Sequence, residues 1–185
     1  IYLATEAILN HGTKEQKQNY LPKLAAGEIV GTLAHTETTT APTQENLACE
    51  LKKDLLNGSK IVVPDGDIAN FAVVSAKDGN KIVLCLADLA AEGAEIKSEN
   101  TLDPSRSHAS IVFKNAKVEV LDSKVDGWTA LQEVLDRAAV LFSFEQLGGA
   151  EACMNMAKEY AMGRFAFGRP IASFQAIKHK IADMY

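Results

Sequence analysis

Apolar positions change their rhythm twice along this chain. From Ile1 to about Gly27, Leu3, Ile8, Leu21 and Leu24 stand among polar residues, and the segment reads as helix, broken at His11-Gly12. Thr13 with Gln16 three positions on has the form of a capping box, so a second helix is expected to begin there and to end near Gly27. Pro22 lies inside it and is expected to bend or shorten it, because its ring removes an amide donor.

From about Ile29 to Leu121 the apolar runs become short and β-branched. Ile29–Leu33, Ile61–Val63, Phe71–Val74, Lys81–Leu86 and Ser110–Phe113 read as strands. Asn57-Gly58, Asp65-Gly66 and Asp78-Gly79-Asn80 read as the turns between them, and Thr38–Thr43 as a loop. Short strands joined in this way predict an antiparallel barrel or sandwich.

Helical rhythm returns at Trp128 and runs to about Met162 with no proline and only the pair Gly148-Gly149. Such a rod would be about 50 Å long. Val134, Leu135, Val140, Leu141, Phe142, Phe144 and Leu147 make it apolar on much of its circumference, which predicts burial in a bundle or at an interface. Gly168-Arg169-Pro170 should end this texture. Ser173 is placed to cap a further helix carrying Phe174, Ile177 and Ile181. The first segment has no clear start and the last no stop, so further segments or subunits are expected to cover the apolar helix faces.

Composition narrows the possibilities. The 185 residues are 47% hydrophobic and 23% charged, a globular balance. Nineteen basic against twenty-four acidic residues give a net charge of −5, which provides no footprint for nucleic acid or an anionic bilayer. No apolar run is long enough to predict a membrane span. Cys49, Cys85 and Cys153 are odd in number and far apart, which argues against a disulfide framework and fits reduced thiols. His11, His35, His108 and His179 show no ligand spacing, and no metal site is expected.

Three groups of residues carry a resemblance. They are Gly12–Lys17 with Tyr20–Glu28, then Ala34-His35-Thr36-Glu37, then Arg164–Ile171 followed by Phe174-Gln175 and Ile181–Met184. Taken in this order they resemble the acyl-CoA dehydrogenase family. The resemblance implies an α+β fold, an antiparallel β-barrel domain flanked by helical segments of that family's bundle. Residues 1–33 would end an N-terminal helical domain, 34–122 would form the middle barrel, and 123–185 would start a C-terminal helical bundle.

It also implies chemistry: α,β-dehydrogenation of an acyl-CoA thioester with FAD as hydride acceptor. An α C–H is a poor acid, so such a site must desolvate a base and stabilise an enolate-like oxygen. Electrons would leave to an electron-transfer flavoprotein-type acceptor. The protein would be a homo- or hetero-oligomer, dimer or tetramer, in a bacterial cytoplasm or a mitochondrial matrix. Two alternatives share the scaffold: a non-catalytic partner subunit, and a related acyl-CoA oxidase or flavin monooxygenase.

The site residues carry over position by position. Thr36 matches the threonine that meets the flavin ring, and Glu37 beside it reads equally as a solvated turn residue. Arg164, Phe167 and Gln175 match the group that holds the pyrophosphate and adenine side of the flavin across a subunit boundary, a flavin bound mainly by the neighbouring subunit. Asp136 matches a substrate-binding position near the CoA arm. The family's aromatic and hydroxyl residues of the second flavin segment are replaced here by Val62 and Pro64, and the Thr38–Glu45 loop also departs from the pattern. Some members carry their catalytic glutamate where this chain has Ala138, so no catalytic base is assigned.

Overall fold

Thr13 does what its spacing predicts. In the computed structural model, which describes residues 1–185, its hydroxyl accepts the Gln16 N–H at 3.0 Å, and the Gln16 side chain accepts the Thr13 N–H at 2.9 Å. This reciprocal cap opens helix α2 (Lys14–Ala26), which follows α1 (Tyr2–His11). Helix α2 continues through Pro22, so the early end expected there does not occur. Its last turn is held by buried Leu24 and by Gly27, which is left-handed (φ 72°) and donates to the Leu24 carbonyl.

Seven strands follow: β1 (Gly31–Ala34), β2 (Glu50–Lys52), β3 (Leu55–Pro64), β4 (Phe71–Asp78), β5 (Lys81–Asp88), β6 (Ala94–Glu99) and β7 (His108–Val120). The pairing β4-β2-β3-β7-β5 returns to β4 and closes a ring, with β1 on β4 and β6 on β7. The sheet is mixed rather than antiparallel, because β1 and β2 both pair parallel to β4. Asn70 explains the direction of β1. Its side-chain oxygen accepts the Val30 N–H at 2.7 Å, and its own N–H donates to the Val30 carbonyl at 2.8 Å. Both strands therefore start side by side and must run the same way. The short strands β2 and β6 fall in polar sequence and carry no apolar run to mark them.

Asn57-Gly58 is not a turn. It is a bulge inside β3, where the register against β7 shifts between Leu56 and Gly58. The Asn57 carbonyl oxygen of the side chain accepts the Asn115 N–H at 2.9 Å, which replaces the lost ladder bond. Gly58 has φ 137°, and a Cβ there would lie 2.8 Å from the Cys49 Cα, so only glycine fits. Asp65-Gly66 and Gly79-Asn80 do form turns, the latter closing the β4–β5 hairpin between Asp78 and Lys81.

The sheet is buried on both faces where β4 and β5 run together. Ala72, Val74, Ala76, Cys85 and Ala87 point into the barrel with Leu56, Ile111 and Phe113. Their alternates Phe71, Val73, Leu84 and Leu86 face outward beneath Ala4, Ala7 and Ile8 of α1, Leu24 of α2, and Ala130, Leu131 and Val134. The last three belong to α3 (Gly127–Gly163), whose first turn is satisfied by Asp126 Oδ1 accepting the N–H groups of Trp128 and Thr129. Two-sided burial is why Phe71–Val74 reads as a continuous apolar run instead of an alternation. Truncating Phe113, almost wholly enclosed, would cost about 3–5 kcal/mol.

The chain divides into two compact units, Ile1–Ala138 and Ala139–Tyr185. The second holds the rest of α3, a two-stranded hairpin of β8 (Phe165–Ala166) and β9 (Arg169–Pro170), a 3₁₀ turn (Ile171–Ser173) and α4 (Gln175–Met184). Ser173 does not cap α4 as expected. Phe174 occupies the cap position, and the Ser173 hydroxyl is buried without a partner. The apolar face of α3 is open to solvent, with Val140, Leu141, Phe144, Leu147, Met156 and Tyr160 all exposed.

Candidate functional site

Thr36 sits just past the end of β1, half-buried at the rim of the barrel. Its carbonyl accepts the Ile61 N–H at 2.8 Å. That diverted donor explains a second irregularity in β3, the register shift between Lys60 and Val63. At this bulge Val62 takes φ +52° and is exposed. A β-branched side chain in the left-handed region costs about 1–3 kcal/mol and is a recognised mark of functional loops. Pro64 follows half-buried, and its carbonyl accepts the Thr32 hydroxyl at 2.6 Å. Val62 thus forms a strained, outward ledge close to the Thr36–Ile61 bond.

Glu37 is not a solvated turn residue. Its carboxylate is enclosed and pairs with Lys60, Nζ to Oε1 2.7 Å, inside the barrel. Lys60 is fully buried and also donates to the Ser75 carbonyl at 2.7 Å and the Ser75 hydroxyl at 3.1 Å. Burial pulls the ammonium below the usual lysine range, and the Cys49, Glu37 and Cys85 groups beside it pull the other way. His35 stands against the same charge; burial first, then Lys60, lowers its imidazole below 6.5. Cys49 and Cys85 are pushed up to about 11 and about 12 by burial. Lys60 and Ser75 were not singled out from sequence. The available signal was a lone cation in phase with the inward residue Leu56 of a strand.

A groove of about 840 Å³ lies in the first unit between the β4–β5 hairpin and the approach to α3. Gln44, Lys77, Asn80, Lys81, Ser123 and Asp126 line it. Lys77 Nζ donates to the Glu45 carbonyl at 3.2 Å, which ties the loop after Glu37 to the groove wall. Asp136 is exposed on α3, and Ala138 two residues on is buried and can serve as no base.

The second unit brings Arg164, Phe167 and Gln175 onto one small module. Arg164 directly precedes the β8–β9 hairpin, and its carbonyl accepts the Ile171 N–H at 2.8 Å. Phe167 is at the hairpin tip with φ 53° and is 96% exposed. Its ring meets Phe174 edge-on at 6.3 Å, and the Arg169 guanidinium lies 4.0 Å over the other ring. Gln175 follows Phe174 as the first residue of α4 and is exposed. Phe174, with Arg169 over its face, therefore backs Phe167, a role its motif did not reveal. No group of three His, Cys, Asp or Glu side chains is placed to hold a metal ion, and no helix is long and apolar enough to cross a membrane.

Known proteins share this fold. Residues 1–28 match the acyl-CoA dehydrogenase N-terminal domain, and residues 125–185 match the acyl-CoA dehydrogenase C-terminal domain. An acyl-CoA dehydrogenase of Bacillus subtilis is 34% identical over 98% of the chain and 52% of its own length. The mitochondrial 2-methylacyl-CoA dehydrogenase of Solanum tuberosum is 32% identical over 96% of the chain and 47% of its own length. The butyryl-CoA dehydrogenase structure from Megasphaera elsdenii superposes with a TM-score of 0.88 at 28% identity, covering 99% of the chain and 52% of that protein. The chain belongs to the acyl-CoA dehydrogenase family. It spans about half the length of the curated relatives it matches.

Proposed function

We propose that the protein is an FAD-dependent acyl-CoA dehydrogenase that introduces a double bond between the α and β carbons of an acyl-CoA thioester. The observation that carries this reading is the match of helix pair, mixed barrel, long helix and hairpin to a butyryl-CoA dehydrogenase over nearly the whole chain. Bound FAD would supply the hydride acceptor. The chain's own residues fit that group. Thr36 and the exposed ledge at Val62 offer a rim for a flat ring. The Arg164 fork and the outward Phe167 offer a diphosphate partner and a stacking face to the FAD of a neighbouring subunit. The orphaned hydroxyl of Ser173, next to Phe174 and Gln175, is a polar group still lacking a partner.

The remaining residues position substrate. Lys77 and Lys81 bring two cations to the groove, matching the phosphates of a CoA. Asp136, outside the groove and exposed on α3, is assigned to the CoA arm by the family resemblance alone. No carboxylate of this chain is assigned as the base that takes the α proton. Residues 1–33, 34–122 and 123–185 are read as the end of a helical domain, the barrel and the start of a bundle. The exposed apolar face of α3 fits an oligomer, dimer or tetramer. An electron-transfer flavoprotein-type protein would take the electrons, in a bacterial cytoplasm or a mitochondrial matrix.

One observation favours a second reading, a non-catalytic partner subunit of the same fold. Val62 supplies little stacking surface and Pro64 no donor where the family has an aromatic and a hydroxyl residue. The visible spectrum of the purified protein separates the two. A yellow protein that releases FAD on denaturation and bleaches anaerobically with an acyl-CoA supports the enzyme. A protein that stays colourless in excess FAD overturns it.

A further inference from the structure

The segment 38–47 leaves the barrel and rejoins it at one point, and a single carboxylate closes that point. Glu37 Oε2 accepts the Ala48 N–H at 2.5 Å, and Oε1 accepts the Cys49 N–H at 3.0 Å. Glu37 thus joins the residue before the loop to the two residues after it. Behind the carboxylate, Lys60 spends its donors on Glu37 and on both oxygens of Ser75. Thr36 is tied to the next residue of the same strand, through the Ile61 N–H.

We propose that Glu37 and Lys60 are a positioning pair that holds the neck of the 38–47 loop shut and thereby fixes Thr36 against the flavin ring. The role toward Thr36 rests on the dehydrogenase reading; the closure of the neck does not. A buried ion pair contributes little net stability compared with a well-packed apolar pair, but its directed bonds select one geometry. Here every bond has a use. Lys60 has three donors and three acceptors, and the carboxylate accepts from two amides and the ammonium. Thr36 and Glu37 are pinned to Ile61 and Lys60, consecutive residues that lead directly into the left-handed Val62. The threonine, the loop neck and the ledge share one anchor, so loosening it should disturb all three before the barrel.

The charge-neutral shape mimic Glu37→Gln tests this, because its amide must place NH₂ either against the Ala48 amide or against the Cys49 amide and the Lys60 ammonium together. Hydrogen exchange is followed at Ala48, Cys49 and Ile61, with Val73 and Val74 as barrel references, and FAD affinity by flavin fluorescence. The expected result is exchange at Ala48 and Cys49 faster by about tenfold or more, references unmoved, and FAD bound about tenfold more weakly. The double variant Glu37→Gln with Lys60→Met should recover the unfolding midpoint but neither the loop protection nor the FAD affinity. Unchanged exchange at Ala48 and Cys49, or equal acceleration at Val73 and Val74, overturns the proposal. A wild-type protein that binds no FAD overturns the role toward Thr36, while the exchange pattern by itself decides whether the pair closes the neck.

Discussion

The Lys60 ammonium and the Glu37 carboxylate meet at 2.7 Å in the wall of the barrel, the lysine with no exposed surface at all. Removing one partner leaves the other charged and enclosed. Lys60→Met should therefore destabilise the protein by about 3–5 kcal/mol, seen as a lower urea midpoint with an unchanged slope. A loss under about 1 kcal/mol would mean that the carboxylate is hydrated.

Cys49 and Cys85 make stability fall on the alkaline side. The unfolded chain releases their protons near the ordinary value of 9.0, the folded chain only near 11 and 12. Between these values the unfolded state binds fewer protons, so stability drops as pH rises above 9. Urea midpoints of wild type and a Cys49→Ala, Cys85→Ala variant, measured from pH 8 to 10.5, should diverge in slope, with the wild type steeper. Parallel curves would refute the assignment. In the native protein a thiol reagent should label exposed Cys153 first.

His11 acts on the acid side. Its ring is buried, with Nδ1 3.3 Å from the Ser123 hydroxyl and Nε2 3.5 Å from a Glu133 oxygen. Burial lowers its pKa from 6.5, Glu133 opposes, and Arg137 and Lys17 add to the lowering. The unfolded chain then takes up the proton first, so stability is lost as pH falls below 6.5. His11→Gln should flatten the thermal midpoint between pH 6.5 and 5. An unaltered pH profile would show that His11 is not the sensor.

Val62 and Gly58 should respond in opposite directions. Val62→Gly removes a left-handed β-branched residue and should stabilise by about 1 kcal/mol. Gly58→Ala places a methyl against the Cys49 backbone at a φ of 137° and should cost about 2 kcal/mol or more. Chemical denaturation of both variants checks the pair.

Local signals served well where one neighbour settles the structure. The Thr13 capping box, the Gly79-Asn80 turn and the length of α3 depend on residues a few positions apart. They failed where distant partners decide. Asn57-Gly58 has turn chemistry, yet Asn115 draws it into a bulge. The direction of β1 depends on Asn70, forty positions away from Val30. At the candidate site the motif around Arg164 and Phe167 was visible. The burial of Glu37 was not, because its cation lies in another strand and its amide donors lie beyond a loop.

Strand β7 pairs with β3 along one edge and with β6 and then β5 along the other. It is the last strand of the barrel in the chain. During synthesis, β3 and β5 must wait with unsatisfied edges until residues 108–120 have left the ribosome, and an unpaired edge is a template for wrong partners. Vectorial folding of this protein therefore has a vulnerable interval. A nascent chain stalled shortly before His108 should be a strong client for chaperones, and one stalled well beyond Val120 a weak one.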